Sequence, residues 1–156
     1  MQQSTTILGV DIGLKMGWAI THNEQRIDSG TLHLKGKNWE SRGTAFLRAG
    51  HFFRQQLVQY QPSLVSFETV KRFMSSDAAL IYGGIVGQLM ATCEDLKINY
   101  VGYSPTEIKK LATDKGKASK EEMIEAAHKL FNYLPGDDNE ADALHICRLA
   151  HKNFGA

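Results

Sequence analysis

Ile7-Leu8-Gly9-Val10-Asp11-Ile12-Gly13 is the stretch from which the fold is read. An apolar run suited to a buried strand ends in a carboxylate, and an ionised carboxylate is costly to bury unpaired. Asp11 therefore has to stand at a strand end, exposed or bound to a cation. Gly13 and Gly17 then let the backbone turn tightly and start again. The theme recurs twice: Ser63-Leu64-Val65-Ser66-Phe67 ends in Glu68, and Asp142 lies in an acidic cluster ahead of a helical pattern. Three acids drawn from distant parts of one chain point to a divalent-metal site.

Working outward, apolar runs predict strands over 5–10, 17–21 and 26–34, with Asn23-Glu24 as the turn between the last two. That is a three-strand meander. Phe46, Leu47, Phe53, Leu57 and Tyr60 fall mostly at helical spacing and predict a helix from about residue 40 to 60, stopped by Pro62. A buried strand follows over 64–67, then a helix over 76–96 opened by the cap candidates Ser75-Ser76-Asp77, then a strand over 98–101 before Pro105. Helices are predicted over 106–111, over 119–131, and from about 138. Ser119-Lys120-Glu121-Glu122 supplies a capping box for the middle one. This order of elements is that of an α/β protein with a ribonuclease H-like fold, a five-stranded mixed sheet flanked by helices on both faces.

The 156 residues fit one globular domain spanning 1–156. No apolar run has the length of a membrane span or the pattern of a signal peptide, so a cytoplasmic protein with no membrane partner is expected. Cys93 and Cys147 make no paired ligand spacing and read as packed, reduced thiols. The six histidines form no ligand pair, and His145, one turn beyond Asp142, reads as a surface residue. The net charge of +1 is uninformative, but its distribution is not. Between Pro105 and Lys120, lysines 109, 110, 115, 117 and 120 face only Glu107 and Asp114, whereas Asp137 to Asp142 holds four acids and no base. An acidic pocket beside a basic strip suits a metal-dependent enzyme acting on a polyanion. The alternative for the lysines is a solvated loop.

Five features now combine: Gly9-Val10-Asp11-Ile12-Gly13 with Gly17; Phe67-Glu68; Gly83-Gly84-Ile85-Val86-Gly87-Gln88; Lys109 and Lys120; and Asn139-Glu140-Ala141-Asp142-Ala143-Leu144. In this order they resemble the RuvC-type Holliday junction resolvases, in particular the phage-encoded branch, over about residues 7–151. The resemblance implies that Asp11, Glu68 and Asp142 are the catalytic carboxylates and hold two Mg²⁺ ions per active site, with Mn²⁺ as the alternative and Asp11 as the bridging ligand. A carboxylate cluster without cysteine suits these hard cations better than zinc. Lys109 and Lys120 fall on lysines the family needs. Lys120 is expected near the scissile phosphate as an electrostatic stabiliser or proton donor.

The chain departs from the family at two places. The fourth metal position carries Asn139, and helical spacing puts both Asn139 and Asp138 on the face of Asp142. Either is open as the fourth ligand, and N-capping is the alternative for both. Glu140, two residues from Asp142, should point elsewhere. The second departure is Lys71, which stands where the family has an aromatic at the junction centre. Phe73 either takes over stacking on an unpaired base or is buried. Lys71, Arg72, Lys109, Lys110, Lys115 and Lys117 are expected to hold DNA phosphates, contacts that carry little sequence information.

The implied protein is a homodimeric, metal-dependent endodeoxyribonuclease that nicks four-way or otherwise branched DNA by hydrolysis. Two symmetric nicks need two active sites, and Gly83 and Gly87 make a smooth helix face for packing within the subunit or against a second copy. The rivals are a RuvC-like RNA-processing nuclease and a non-catalytic junction-binding protein, which would be expected to have lost an acid. A sugar-kinase-type ATPase also begins Asp-x-Gly, but needs a second domain for which 156 residues leave no room.

Overall fold

The computed structural model describes residues 4–37 and 41–154. Strands β1 (Thr6–Asp11), β2 (Lys15–His22) and β3 (Gln25–His33) form an antiparallel meander. Helix α1 (Arg42–Tyr60), strand β4 (Leu64–Glu68), helix α2 (Ser76–Leu96) and strand β5 (Asn99–Tyr103) follow, and α3 (Pro105–Thr113), α4 (Lys120–Phe131) and α5 (Asp138–Phe154) close the chain. The sheet order is β3-β2-β1-β4-β5, with β4 parallel to both β1 and β5. The mixed five-stranded sheet is thus the one expected from the sequence.

Alternation along the strands builds two cores. Leu8, Val10, Ile20 and Val65 pack with Phe53 and Leu57 of α1 and Ile85 and Leu89 of α2. Ile7, Ala19 and Leu64 pack on the opposite side with Ile108 of α3, Met123 of α4 and Leu144 of α5. Each such buried aliphatic side chain contributes roughly 1.5–3 kcal/mol.

Local signals account for the element ends. Asn23 and Glu24 both take positive φ, 50° and 67°, as a two-residue hairpin turn that follows the strand twist requires. Ser119 and Glu122 form the expected capping box on α4. Ser104 and Glu107 form another on α3, which starts at Pro105 because the first helical position needs no N–H donor. The strands run further at their site end than predicted: pairing continues to Asp11 opposite Gly17 and to Glu68 opposite Tyr103. The predicted start of α1 at residue 40 lies outside the described residues.

One expectation is corrected. His145 is not at the surface but fully buried, its Nε2 2.9 Å from the Met123 carbonyl oxygen. Helices α3 and α4 cover the side of α5 that a simple helix-on-sheet picture leaves to solvent. Burial lowers the His145 pKa and keeps the ring neutral.

Candidate active site

Strands β1 and β4 are parallel neighbours, so their carboxyl ends emerge side by side and carry Asp11 and Glu68 to one edge of the sheet. Helix α5 lies across the same sheet with its first turn at that edge. Its approach depends on two glycines. A Cβ on Gly9 would stand 2.5 Å from the Ala143 carbonyl oxygen, and one on Gly17 would overlap the carbonyl of Asn139. Backbone therefore meets backbone, and Asp142 and Asp138 are brought to Asp11 and Glu68.

The electrostatics record how close the four acids stand. Asp11 is held well above the ordinary carboxylate range, first by burial, then by the charges of Asp142 and Glu68, by its hydrogen bond with Glu68, and by Asp138. Asp142 is pushed up to about 7 by burial and by Glu68 and Asp138, with Lys109 pulling the other way. Glu68 is raised by burial, partly offset by its hydrogen bond with Asp11 and the charge of Lys109. Burial and mutual repulsion thus both favour the protonated form of these acids.

Such a corner is short of positive charge. Among the described residues no three Asp, Glu, His or Cys side chains converge tightly enough to enclose an ion as they stand. The donor set still fits a hard divalent cation, because it offers carboxylate oxygens, includes no thiol or imidazole, and gains when positive charge relieves the mutual repulsion.

Asp138 and Asn139 are distinguished by their contacts. The Asp138 charge acts on both Asp11 and Asp142, and Lys120 Nζ lies 4.0 Å from Asp138 Oδ2. The side chain of Asn139 hydrogen-bonds Asp137. Burial pushes Asp137 up, but donors from the Glu140 and Asn139 backbone, Thr31 and the Asn139 side chain outweigh it and hold the group below the usual range.

The lysines sort by position. Lys109 faces the acids, and Lys120 stands at the edge of the site with its side chain 78% exposed. Lys110 turns into a groove with Arg148 and Lys152. Lys115 is 3.0 Å from Glu122 in an exposed ion pair, and Lys117 is exposed. Beyond β4, Lys71 and Arg72 are exposed, and Phe73 is 38% exposed with its ring tilted against Tyr82, centroids 5.4 Å apart. Tyr82 donates a hydrogen bond of 2.9 Å to the Glu68 carbonyl oxygen, tying α2 to the strand end that carries the acid.

Comparison with known proteins settles the family. Residues 7–151 match the family model described as crossover junction endodeoxyribonuclease RuvC. The chain belongs to the RuvC family. It is 28% identical over 155 residues to the RuvC of Oleidesulfovibrio alaskensis, covering 94% of this chain and 92% of that one. It is 36% identical over 93 residues to the RuvC of an Anaeromyxobacter species, covering 58% of this chain and 45% of that relative. The chain thus spans about half the length of the first curated relatives it matches. Thermus thermophilus RuvC, solved in complex with a Holliday junction substrate, superposes with a TM-score of 0.78 at 20% identity, over 95% of this chain and 93% of that one. At that identity the likeness shows the fold, the ribonuclease H-like arrangement.

Three residues around this RuvC-family site escaped the sequence reading. Asp137 caps α5, accepting from the Glu140 N–H at 2.9 Å and from the Thr31 hydroxyl at 2.7 Å. The spacing Asp137 to Glu140 is itself an N-terminal helix signature and was legible. Tyr82 and Ser29 carried no such signal, because their partners lie far off in sequence.

Proposed function

We propose that this chain is a homodimeric, divalent-metal-dependent endodeoxyribonuclease that nicks four-way or otherwise branched DNA by phosphodiester hydrolysis. The observation that carries the reading is the meeting of Asp11, Glu68 and Asp142 at one sheet edge, with charges that raise one another's pKa values, in a member of the RuvC family. Asp11, Glu68, Asp142 and Asp138 would hold two Mg²⁺ or Mn²⁺ ions, which supply charge relief on the phosphate and lower the pKa of attacking water. Asp138 is the fourth ligand in this proposal, because its charge reaches both Asp11 and Asp142.

The chain's own residues do the rest. Asp11 stands with Glu68 and Asp142, so in its ionised form it would give the cations a third carboxylate to bind. Lys109 limits the mutual repulsion of Glu68 and Asp142. Lys120 stands where it can stabilise charge on the phosphate, and Lys71, Arg72, Lys110 and Lys117 hold phosphates further along the arms. Phe73, half out of the surface, offers a ring to an unpaired base.

The second copy is assigned to the outer face of α2. Leu80, Gly83, Gly87 and Ala91 lie exposed along one side of it, and a Cβ at either glycine would meet nothing within 4 Å. Packing inside the subunit therefore does not explain these glycines, whereas close approach of a partner helix does. The deciding assay compares cleavage of a four-way DNA junction, plain duplex and structured RNA in Mg²⁺. Selective, paired nicking of the junction is expected; preference for RNA would reassign the substrate, and binding without cleavage would make the chain a junction-binding protein.

A further inference from the structure

Glu140 belongs to the acidic run Asp137–Asp142 but turns its carboxylate away from the acid cluster, and it is buried. Three donors meet it. Oε2 accepts from the Ser29 hydroxyl at 2.5 Å and the Tyr133 hydroxyl at 2.9 Å, and Oε1 accepts from the Gly136 N–H at 2.7 Å. The donors are themselves held: Arg26 Nε donates to Ser29 Oγ at 2.5 Å, and the Arg26 guanidinium lies 3.6 Å over the Tyr133 ring. A carboxylate gripped by several donors makes short, directional bonds of about twice the usual strength.

The location gives this grip its meaning. Two residues along a helix is about 200° around it, so Glu140 stands nearly opposite Asp138 and Asp142 on the same turn. Strand β3 carries none of the site acids, yet its Ser29 and Thr31 hold Glu140 and Asp137, while the α5 backbone rests against Gly17 of β2. A turn held by its back can neither roll nor rise.

We propose that Glu140 is a positioning residue: through Ser29, Tyr133 and Gly136 it fixes the rotation and depth of the first turn of α5, and so sets how far Asp138 and Asp142 reach toward the cation site. The inference rests on the metal-site reading above. It makes Arg26, Ser29 and Tyr133 a support for metal binding although none of them is a ligand.

The test measures Mn²⁺ binding directly, by paramagnetic resonance of the free ion, on folded protein without DNA. Glu140→Ala should weaken Mn²⁺ binding about 10- to 100-fold, the usual cost of losing a residue that orients a ligand. Glu140→Gln should rescue it, because the amide oxygen still accepts from Gly136 and the amide nitrogen can donate to the Ser29 and Tyr133 hydroxyls, which also accept. Leu89→Ala, in the core under α1 and α2, should lower the melting temperature without moving Mn²⁺ affinity. Asp142→Asn should lose binding outright.

If Glu140→Ala binds like the parent while Asp142→Asn does not, the positioning role is wrong and the metal site stands. Glu140→Gln as weak as Glu140→Ala would make the charge, not the geometry, responsible and overturn the proposal. Unchanged binding in Asp142→Asn would sink the metal site and this inference with it. Should Glu140→Ala not fold, Ser29→Ala and Tyr133→Phe each remove one donor, and unchanged Mn²⁺ affinity in both would overturn the proposal equally.

Discussion

The acids and the lysines of this protein are built to opposite rules. Asp11, Glu68 and Asp142 sit at the ends of paired strands and in the first turn of a docked helix, largely withdrawn from water, and burial is the leading cause of each raised pKa. The lysines of the segment from α3 to α4 stand mostly in solvent, Lys120 is 78% exposed, and Lys115 is neutralised by Glu122. Charge repulsion is thus concentrated in a packed corner, where on the proposed reading a cation would relieve it, while the lysines proposed to meet a phosphate chain stay hydrated. Rigidity serves geometry at the reacting atoms; hydration keeps contact with a long polyanion cheap to make and break.

The widest break between the two sets comes from removing an acid without touching a lysine. Asp11→Asn, Glu68→Gln or Asp142→Asn should reduce junction cleavage in Mg²⁺ by at least about 100-fold and leave junction binding in Ca²⁺ nearly unchanged, since the hydrated lysines persist. Parallel cleavage and gel-shift measurements check this. Near-normal cutting by any of the three would remove that residue from the site.

The next effect is on stability and follows from the direction of the shifts. A carboxyl whose folded pKa lies above its unfolded one is favoured in the protonated form by folding, so its contribution to stability falls as pH rises from the unfolded value through the folded one. For Asp142 that window runs from the ordinary carboxylate range to about 7. Metal-free protein should therefore lose stability on the order of 1–2 kcal/mol between about pH 4.5 and pH 8 from this cluster, after allowance for solvent relaxation. Asp142→Asn should flatten the loss, and Mn²⁺ at pH 8 should reverse it. Melting curves with and without the ion decide; a flat parent profile would mean that the acids do not press on one another.

Changes at the outlying lysines should act more gently and on binding alone. Lys117→Ala should lower the slope of log affinity against log salt by about 0.9 for duplex arms, and Lys115→Ala by less, because Glu122 already holds that charge. Lys120→Ala should instead slow single-turnover cleavage more than it weakens binding. Equal loss in affinity with an unchanged rate would return Lys120 to the set of ordinary phosphate contacts.

The smallest change tests the second copy. Gly83→Ala and Gly87→Ala meet open space, so each should stabilise the monomer fold by about 0.5–1 kcal/mol through helix propensity. Both should weaken the dimer, seen in sedimentation as a rise in the dissociation constant. Stabilisation with unaltered association would move the dimer contact away from this face of α2.

Much of this was legible in the chain because the signals were local. Apolar runs ending in an acid marked β1 and β4, Ser119 to Glu122 marked the start of α4, and Asn23-Glu24 marked the hairpin. The acids Asp11, Glu68 and Asp142 were legible through motif order, which the topology then gathered at one edge. What escaped depends on a third layer: His145 is buried because α3 and α4 cover α5, and a periodic pattern in α5 alone cannot report that. Between Asp138 and Asn139 helical spacing could not choose, since both share a face with Asp142; that the Asp138 charge acts on Asp11 and Asp142 depends on how α5 docks on the sheet.

Gly17 carries a consequence for how the molecule tolerates change. With the α5 carbonyl of Asn139 seated where its side chain would be, the gap between sheet and helix is a distance of closest approach rather than a compromise among adaptable side chains. Packed side chains can trade one rotamer for another, but two backbones in contact have no such slack. A single added methyl at this position would lever α5 off β2 and open the acid corner from behind. The working gap between the two halves of the site is gauged, in effect, by the width of a hydrogen atom.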